Sequence, residues 1–538
     1  MIRGAVARAG ARRARCRPPL LLAAAACTVV ALVCLPLAYL VLRVVQGGTD
    51  AWSVLGRHRI LELVAQTALL VVLVTTVALV LGVSLAWLVA RTDLPGRRFW
   101  AVAAGLPLVI PSYVAALILL AAFGPRGFLQ QILEGPFGVE RVPEIYGLWG
   151  AVLALTISTY PYVYLLTVAA FRELDPALEE ASRSLGRSRA QTFRRVTLPV
   201  LRPSLGAGAL LVALYTLSDF GAVSLMQYSS LMRAIYLQYR SLFDRTPAAV
   251  LGLVLVALTL ALLGLEARTR RNVRSSASGT ERPPALVALG RWRWPAFAFG
   301  AGVLTFFLVV PITVLVYWST RAVELGHGIS FAWEAALSSL TASLAAAVVA
   351  VVAVVPVAFL AERHPARWTR AIERLAYTGN ALPGIVIALS LVFFAANYLP
   401  TLYQTLALLV FAYVVRFFPQ ALAGVGSALQ RVHPRIEEAG RSLGRGPIRV
   451  LATVTVPLIR RGVLAGGALV FLNAMKELPA TLLLRPIGFE TLATEIWRFT
   501  SLGSYSRAAP PALLLIVVSA PFVYLLSTRR SSDVSAPG

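Results

Sequence analysis

Four charged residues lie inside long apolar stretches of this sequence, and they are the side chains best placed to do chemistry. Asp219 lies in Leu-Ser-Asp-Phe-Gly, Arg416 in Val-Val-Arg-Phe-Phe-Pro, and the adjacent Lys476 and Glu477 in Ala-Met-Lys-Glu-Leu-Pro. If these stretches cross a membrane, each charge is costly there and must face a cavity or a partner. Two interpretations stay open. Either the charges pair with one another and hold the protein together, or Asp219 and Glu477 line a pathway and contact a cation.

Residue types that commonly carry out catalysis or bind metal are scarce and scattered. The histidines show no ligand spacing and are His58, His327, His364 and His433. The cysteines form no metal or disulfide pattern and are Cys16, Cys27 and Cys34. No nucleophile motif stands out. The one lysine, Lys476, lies in Met-Lys-Glu, whereas a nucleotide-binding P-loop needs Gly-Lys-Ser/Thr. We therefore predict no catalytic residue, no metal site and no ATPase site in this chain.

A polar, arginine-rich stretch of 28 residues occurs twice. Residues 176–203 begin Pro-Ala-Leu-Glu-Glu-Ala-Ser-Arg-Ser-Leu-Gly-Arg, and residues 434–461 begin Pro-Arg-Ile-Glu-Glu-Ala-Gly-Arg-Ser-Leu-Gly-Arg. An offset of 258 aligns the copies without a gap, and 13 of the 28 positions are identical. A repeat at such long range indicates that a whole half of the chain was duplicated. Because each copy is polar inside an apolar chain, we predict a docking surface outside the lipid.

Each copy carries the signals of a helix–turn–helix. Asp175 and Pro176 suit the N-cap and first turn of a helix, and Gly186 suits its C-cap. A second short helix is predicted to begin at Ser188 and to end near Pro199. The alternative interpretation is an ordinary basic loop that only sets the topology. The equal spacing of Glu-Ala, Gly and Pro in both copies favours a rigid helix–turn–helix that projects on the cytoplasmic side.

Composition indicates a membrane protein. Of the 538 residues, 58% are hydrophobic and 14% are charged, and the mean hydropathy is +0.75. Apolar runs of about twenty residues recur from end to end, which is the length that crosses a hydrocarbon core of about 30 Å. The net charge of +26 would suit nucleic acid, but 36 of the 50 basic residues lie in alternate loops and the termini. That distribution is the positive-inside pattern, so we predict contact with membrane lipid and no nucleic-acid partner.

The predicted fold class is all-α: a polytopic transmembrane protein of about 12 helices in two parallel repeats of six, with both termini cytoplasmic. The predicted spans are about 20–45, 61–90, 101–123, 147–170, 204–227, 248–266, 295–318, 334–361, 376–397, 402–429, 462–484 and 508–527. The basic residues 1–19 and the apolar run after them resemble a signal peptide. Because that run is too long and no clear cleavage site follows, we predict an uncleaved first helix.

Two halves and a linker follow from the duplication. The predicted parts are the first half 1–270 with a loop at 171–203, a cytoplasmic linker 271–293, and the second half 294–538 with a loop at 430–461. Five prolines are predicted to interrupt helices, as kinks for packing or as hinges for gating, and are Pro111, Pro161, Pro383, Pro419 and Pro479.

The halves also match outside the repeated stretch. Asp219 matches Glu477 at offset 258, whereas Pro111 matches Pro383 at offset 272. A longer external loop in the first half, near 125–146, accounts for the difference. Both halves keep the same orientation, and such parallel repeats usually place their pathway between them near the midplane of the membrane.

The repeated stretch resembles the EAA loop of ABC importer permeases of the binding-protein-dependent type. That loop reads Glu-Ala-x, three residues, Gly, nine residues, then Val/Ile-x-Leu-Pro. Both copies fit the pattern, and the second departs from it at Gly440 and Val456. The resemblance covers essentially the whole chain as two fused permease domains of a bacterial inner membrane.

What the resemblance implies is coupling to other subunits. Each loop would form a coupling helix seated in a cleft of one of two ABC ATPase subunits on the cytoplasmic face. An extracytoplasmic solute-binding protein would be the other partner. The ATPase subunits would use ATP, and this chain would bind no cofactor. The residues implied in coupling are Glu179, Glu180, Ala181, Gly186 and Pro199 in the first loop and Glu437, Glu438, Ala439, Gly444 and Pro457 in the second.

The resemblance also suggests a solute and a mechanism, alternating access. The fused architecture, Ser-Asp-Phe-Gly-Ala at 218–222 and Glu-Leu-Pro-Ala-Thr-Leu-Leu-Leu-Arg-Pro at 477–486 look most like iron(III) importer permeases. Thiamine permeases share the fused architecture, and polyamine and sulfate or molybdate permeases share the loop, so these solutes stay open. A twelve-span secondary transporter is an alternative from another class, but it leaves the paired loops unexplained. A membrane-bound enzyme finds no support.

Overall fold

The computed structural model describes residues 18–48, 58–124, 127–138, 143–241, 246–270, 286–326 and 330–532. Within these ranges the chain is helical, apart from turns and one isolated β-bridge between Thr92 and Val287. The predicted all-α class is therefore confirmed for the described chain. The basic N-terminal residues 1–17 and the linker residues 271–285 lie outside the described residues.

Fourteen helices of the described chain lie between Leu20 and Glu324. They are α1 (Leu20–Gln46), α2 (His58–Arg91), α3 (Arg97–Ala103), α4 (Ser112–Phe123), α5 (Phe128–Phe137), α6 (Leu148–Glu173), α7 (Pro176–Ser184), α8 (Arg189–Thr192), α9 (Leu198–Ser218), α10 (Gly221–Leu225), α11 (Leu231–Ser241), α12 (Thr246–Arg270), α13 (Arg293–Leu304) and α14 (Val310–Glu324).

Ten more helices complete it. They are α15 (Ser330–Arg363), α16 (Arg367–Ala376), α17 (Gly384–Tyr398), α18 (Leu406–Arg431), α19 (Pro434–Ser442), α20 (Pro447–Val450), α21 (Val456–Met475), α22 (Pro479–Leu484), α23 (Leu492–Ser501) and α24 (Tyr505–Ser532). Short 3-10 turns lie at Leu106–Val109, Gly290–Trp292, Tyr377–Ala381 and Pro400–Leu402, and π-turns at Phe193–Thr197, Thr305–Val309 and Leu451–Thr455.

Among the described residues, ten helical segments are long and apolar enough to cross a membrane. The bent pair Arg367–Gly379 and Gly384–Tyr398 makes eleven if it forms one span. Each of these overlaps one of the twelve predicted spans, although the bounds differ by 10 residues or more at Ser112–Gln131, Arg189–Ser218 and Leu451–Met475. The twelfth predicted stretch, 508–527, lies in α24, which is helical but is not among the ten. The orientation of the termini stays a prediction.

Two predicted spans, 101–123 and 376–397, are interrupted next to Pro111 and Pro383, as predicted for these prolines. The first is split into α3 and α4 by Leu106–Val109, and the second into α16 and α17 by Tyr377–Ala381. The cause is the proline that follows each short turn, because proline pushes the residue before it out of the helical region. Ile110 before Pro111 has φ −82° and ψ 110°, and Leu382 before Pro383 has φ −98° and ψ 113°.

The predicted spans 204–227 and 462–484 are also interrupted. The long helix α9 ends at Ser218 and the short helix α10 begins at Gly221, while α21 ends at Met475 and α22 begins at Pro479. The breaks contain Asp219 in one half and Lys476 and Glu477 in the other. Broken helices at membrane depth leave backbone groups that the protein itself must satisfy.

The described chain forms two compact units. The smaller unit comprises Met1–Tyr39, Thr341–Leu382 and Phe393–Ala474, and the larger comprises Leu40–Leu340, Pro383–Val392 and Met475–Gly538. These units are defined by compactness, and their segments alternate along the chain.

Close helix packing at a glycine organises the larger unit. A Cβ at Gly82 of α2 would lie 2.8 Å from Val163 Cβ of α6, so α2 and α6 approach as closely as glycine allows. Beside this contact, the buried Tyr164 hydroxyl donates to the carbonyl oxygens of Trp100 and Ala101 at 3.2 and 3.1 Å. Those carbonyls lie near the end of α3, so a side chain from α6 satisfies backbone groups next to the break.

A pair of glycines gives the smaller unit a similar close contact. Gly462 and Gly466 lie four residues apart on α21, which is the spacing that lets two membrane helices approach closely. A Cβ at Gly462 would lie 2.3 Å from Ala428 Cβ, and a Cβ at Gly424 would lie 2.8 Å from Gly466 Cα. Helices α18 and α21 are therefore in near backbone contact.

This contact predicts a large cost for a bulky side chain at Gly462. We expect Gly462→Leu to destabilise the protein by about 1–3 kcal/mol, because an overpacked site must shift backbone or strain rotamers. A lower melting temperature of the purified protein in detergent would report it. The matched control is Gly206→Leu: Gly206 lies one half earlier, at the position of Leu464, and a Cβ there would meet no atom within 4 Å. Equal melting temperatures for both variants would contradict the packing described.

Candidate functional site

The first repeated loop folds as the predicted helix–turn–helix. Asp175 caps α7 by accepting the Ala177 N–H at 2.9 Å. The helix ends at Ser184, and Gly186 has φ +79°, a left-handed conformation that L side chains resist. Ser188 and Gln191 then form a capping box that starts α8. The predicted N-cap, C-cap glycine and second helix start are confirmed. The predicted end of the second helix near Pro199 is wrong, because the helix runs through the π-turn Phe193–Thr197 into α9 and ends at Ser218.

The second loop has the same backbone with a different cap. His433 Nδ1 accepts the Arg435 N–H at 3.2 Å where the first loop uses an aspartate. Gly444 has φ +78°, one degree from its counterpart in the first loop. Gly440, where the sequence departs from the first copy, is buried, and a Cβ there would lie 3.2 Å from Val450 Cγ2. The small residue therefore lets α19 pack closely against α20.

Each loop presents an apolar face to solvent. Leu185 is 77% exposed and Leu443 is 79% exposed, each directly before the left-handed glycine. Leu178 and Ile436, seven residues earlier, are 48% and 44% exposed. Residues seven apart lie on one side of a helix, two turns from each other. The sequence signal for this face was present, as the apolar residue before each Gly, but it was not singled out.

The predicted coupling residues divide between the two sides of each short helix. Those on the exposed side are Glu180, Ala181 and Gly186 in the first loop and Glu438, Ala439 and Gly444 in the second. The buried ones are Glu179 and Glu437. The first glutamate of each Glu-Glu pair therefore points into the protein, and the second is exposed to solvent.

In the larger unit, the buried Glu179 is held from two sides. Arg91 is the last residue of α2, and its Nη2 forms an ion pair with Oε2 of Glu179. The Thr197 hydroxyl donates to Oε1 at 2.6 Å from the π-turn that leads into α9. One carboxylate thus connects α2, the first helix of the loop and the start of α9.

In the smaller unit, the buried Glu437 is bound by Arg363, the last residue of α15. Arg363 Nη2 donates to Oε1 at 2.8 Å, and its Nε donates to Oε1 and Oε2 at 3.1 and 3.3 Å. The same Nη2 donates to the carbonyl oxygens of Leu429 and Val432 at 3.3 and 3.0 Å, where α18 ends. The arginine therefore joins three helices at one point.

Sequence reasoning missed both arginines. Arg91 and Arg363 are 272 residues apart, the same offset that relates Pro111 to Pro383, whereas Glu179 and Glu437 are 258 apart. The sequence did contain a signal for them, because Arg91 and Arg363 occupy corresponding positions in the two halves. It could not be read as a contact, because residues 88 apart in the first half and 74 apart in the second meet only in the folded chain.

Pro199 and Pro457 follow the π-turns Phe193–Thr197 and Leu451–Thr455. Proline has no N–H and its ring collides with the carbonyl four residues earlier, so a wider turn before it relieves the clash. The position of each proline therefore determines where the wider π-turn occurs and where the long helix α9 or α21 continues from it.

The buried carboxylates of the broken helices accept backbone hydrogen bonds. Asp219 Oδ1 accepts the N–H groups of Ala222 and Val223 at 2.9 and 3.4 Å, at the start of α10. The Ser112 hydroxyl donates to Asp219 Oδ2. In the other half, Glu477 Oε1 accepts the Ala480 N–H at 3.4 Å, at the start of α22. The two repeat-related acids thus occupy equivalent positions in their helices.

The two basic residues predicted at membrane depth have other contacts. Lys476 Nζ donates to the Leu108 carbonyl oxygen at 3.3 Å, in the turn between α3 and α4. The Arg416 guanidinium lies 5.7 Å from the centre of the Phe417 ring on α18. Across the described residues, no group of three or more His, Cys, Asp or Glu side chains is arranged to hold a metal ion.

The chain is similar to known transport permeases along nearly its whole length. Residues 78–275 and 354–529 each match the family described as binding-protein-dependent transport system inner membrane component. The chain is 36% identical over 516 residues to the Fe(3+)-transport system permease protein FbpB 2 of Haemophilus influenzae, covering 95% of this chain and 98% of that protein.

Two further relatives show how the likeness is distributed. The ferric transport system permease protein FbpB of Actinobacillus pleuropneumoniae is 23% identical over 489 residues, which is 86% of this chain and 70% of the relative. The sulfate transport system permease protein CysT of Salmonella typhimurium is 32% identical over 238 residues, 43% of this chain and 83% of the relative. With two matches to one family and ten membrane-length segments among its described residues, this chain belongs to the binding-protein-dependent transport system inner membrane components, as a multi-pass permease with two fused domains.

Proposed function

We propose that this chain is the permease of a ferric iron importer. The observation that carries the proposal is the 36% identity to a Fe(3+)-transport permease over 95% of this chain and 98% of that protein. The sulfate permease matches less than half of the chain. Family membership leaves the secondary-transporter alternative without support. Ferric iron is the cargo here, carried along a pathway and released.

The proposal includes two ABC ATPase subunits, one on each loop, and a solute-binding protein on the other face. The support is the apolar face that each loop exposes. Leaving a leucine in water forgoes about 1.5–3 kcal/mol relative to burying it, and Leu185 and Leu443 are 77% and 79% exposed. A partner that covers them recovers this free energy. The partners hydrolyse ATP, and the permease itself needs no cofactor.

The ATPase subunits would act through the two short helices α7 and α19. Glu180 and Glu438 add an exposed negative charge beside the apolar face of each helix, so the partner surface should combine an apolar cleft with a basic residue. When ATP binding moves the subunits, the short helices move with them. The long helices α9 and α21, which follow directly from the loops, then change the access of the pathway.

We propose that Asp219 and Glu477 hold the short helices α10 and α22 in place, and that they do so as hydrogen-bond acceptors. The bonds to the first N–H groups of each short helix support this role. The other interpretation, that their charge meets the cation in the pathway, makes a different prediction for the uncharged amides.

Uptake by purified protein tests the solute. We expect vesicles that carry this chain with its ATPase and binding protein to accumulate radiolabelled ferric iron with ATP, and not labelled sulfate, molybdate, thiamine or spermidine. A strain that lacks the gene should grow poorly on limiting iron and normally on limiting thiamine. Uptake of one of the other solutes, with no uptake of iron, would overturn the iron assignment and leave the permease assignment standing.

Charge on the exposed leucines tests the docking surface. We expect Leu185→Asp and Leu443→Asp to insert normally but to lose co-purification with the ATPase, because a carboxylate in an apolar cleft is desolvated without a partner. The control is Leu502→Asp, a leucine that is 74% exposed outside both loops. It should leave ATPase binding unchanged. Retention of the ATPase by the loop variants would show that it binds elsewhere.

Replacing Asp219 separates its two candidate roles. We expect Asp219→Ala to lower stability by about 0.5–2 kcal/mol, the usual cost of losing an acceptor at a helix start. Asp219→Asn should keep both stability and iron uptake, since its amide oxygen accepts the two backbone bonds and its NH2 group donates to the Ser112 hydroxyl instead of accepting from it. Thermal scans in detergent and vesicle uptake measure the two effects. If the Asn variant stays folded but loses uptake, the negative charge itself is needed and the acceptor role is insufficient.

A further inference from the structure

The two buried ion pairs lie at the base of the exposed loops, at equivalent places in the two halves. In each case the arginine is the last residue of a 34-residue helix, α2 or α15, and the glutamate lies in the first turn of a loop helix. We propose that Arg91 and Arg363 are positioning residues that fasten each loop to the end of its long helix, so that movement of the loop moves that helix. The inference rests on the proposed coupling to ATPase subunits.

The outward and inward sides of the loop helix carry separate tasks. In α7, Pro176, Glu179 and Ser182 are buried, whereas the residues between them are exposed. Residues three apart lie along one side of a helix, so the side that carries Glu179 faces the protein and the rest faces solvent. If a partner moves the exposed side of α7, the movement passes to the rest of the protein through the side that carries Glu179. The residues that bind Glu179 therefore determine which helix moves with α7.

The second-half pair has the geometry of a rigid joint. A guanidinium is planar, and its donors match a carboxylate in a fixed orientation, which a lysine ammonium does not do. Arg363 uses Nε and Nη2 on Glu437 and also bonds two carbonyl oxygens at the end of α18. Helices α15, α18 and α19 are thus fixed relative to one another around one side chain, and α19 cannot turn without moving it.

The first-half pair reaches the same result with a different partner. Glu179 binds Arg91 with Oε2 and Thr197 with Oε1, so the carboxylate joins the end of α2 to the π-turn before α9. The backbone of Arg91 is itself fixed, because the Val287 N–H donates to its carbonyl oxygen at 2.8 Å. The loop, the long helix and the end of the linker between the halves therefore meet at Arg91.

Net stabilisation alone is a poor explanation for these pairs. The cost of desolvating two buried charges cancels much of their attraction, and apolar replacements of similar volume are often neutral or stabilising. What a buried pair adds is orientation, because it holds two elements in one arrangement. Two copies, each joining a loop to the end of a long helix, fit a role in transmitting movement between those elements.

The two halves provide a matched pair of threonines. Thr197 donates to Glu179, whereas Thr455, its counterpart at offset 258, is fully buried and its hydroxyl has no hydrogen-bond partner in the described structure. If Glu179 needs both partners to hold α7, then removing the hydroxyl of Thr197 loosens the joint. Removing the hydroxyl of Thr455 leaves the Arg363–Glu437 pair intact. Both changes are Thr→Val and keep the volume nearly constant.

The test compares Thr197→Val with Thr455→Val in vesicles that contain the whole assembly, with radiolabelled ferric iron as the probe. The quantity measured is iron transported per ATP hydrolysed. We expect Thr197→Val to lower this ratio by about fivefold or more, the lower end of coupling between linked sites, while the ATPase stays bound and hydrolyses ATP. Thr455→Val should keep the wild-type ratio. Equal ratios in the two variants would overturn the proposal.

Substitutions of Arg363 provide a second and more direct test of the same proposal. Arg363→Lys keeps the charge but loses the bidentate geometry, and Arg363→Met removes the charge at similar volume. We expect the transport ratio to fall in both, more in Arg363→Met, with ATPase co-purification retained. If melting temperature falls while the ratio stays at the wild-type value, the pair is only structural and the inference fails. If the wild-type chain itself binds no ATPase, the proposed function fails instead, so the two failures are distinguishable.

Discussion

Inside lipid, every backbone N–H and carbonyl group must find its partner within the protein, and this constraint decides where the chain can leave the helix. The long helices meet it with their own hydrogen bonds. Where Pro111 and Asp219 mark breaks, other side chains supply the partners: Tyr164 donates to carbonyls near the end of α3, and Asp219 accepts N–H groups at the start of α10. Polar side chains therefore supply hydrogen-bond partners to the backbone next to these two breaks.

In the proposed function, the repeated loops must be rigid and must also bind an ATPase subunit. Rigidity comes from caps at both ends and from a glycine with positive φ, which lets the chain reverse within two residues. The inward side of each short helix is fixed by a buried glutamate paired with an arginine. The outward side keeps an apolar residue in solvent at the tip. In each nine-residue helix, the side with the buried glutamate is attached to the rest of the protein, and the other side is exposed and available to the proposed partner.

Duplication preserved the geometry more strictly than the residues. Asp175 and His433 cap the same helix end with different acceptor atoms, and Ser182 is replaced by Gly440 where the second copy packs more closely. Thr197 contributes to the first ion pair, while in the second the arginine takes over both carboxylate oxygens and two carbonyls. Equivalent positions can therefore differ in chemistry as long as the backbone angles and the helix that is held stay the same.

The sequence by itself determined the membrane class, the helical composition, the duplication and the loop backbone, because hydropathy, capping residues and glycine act locally. Pro111 and Pro383 were correctly predicted to interrupt helices, whereas the same prediction for Pro161 and Pro419 was wrong, because both lie inside the unbroken helices α6 and α18. Only the tertiary structure decided which glutamate of each pair is buried, that Arg91 and Arg363 bind them, and that Asp219 and Glu477 accept bonds from short helices. Those facts depend on which distant elements pack together, and local periodicity carries no record of partners that lie tens of residues away.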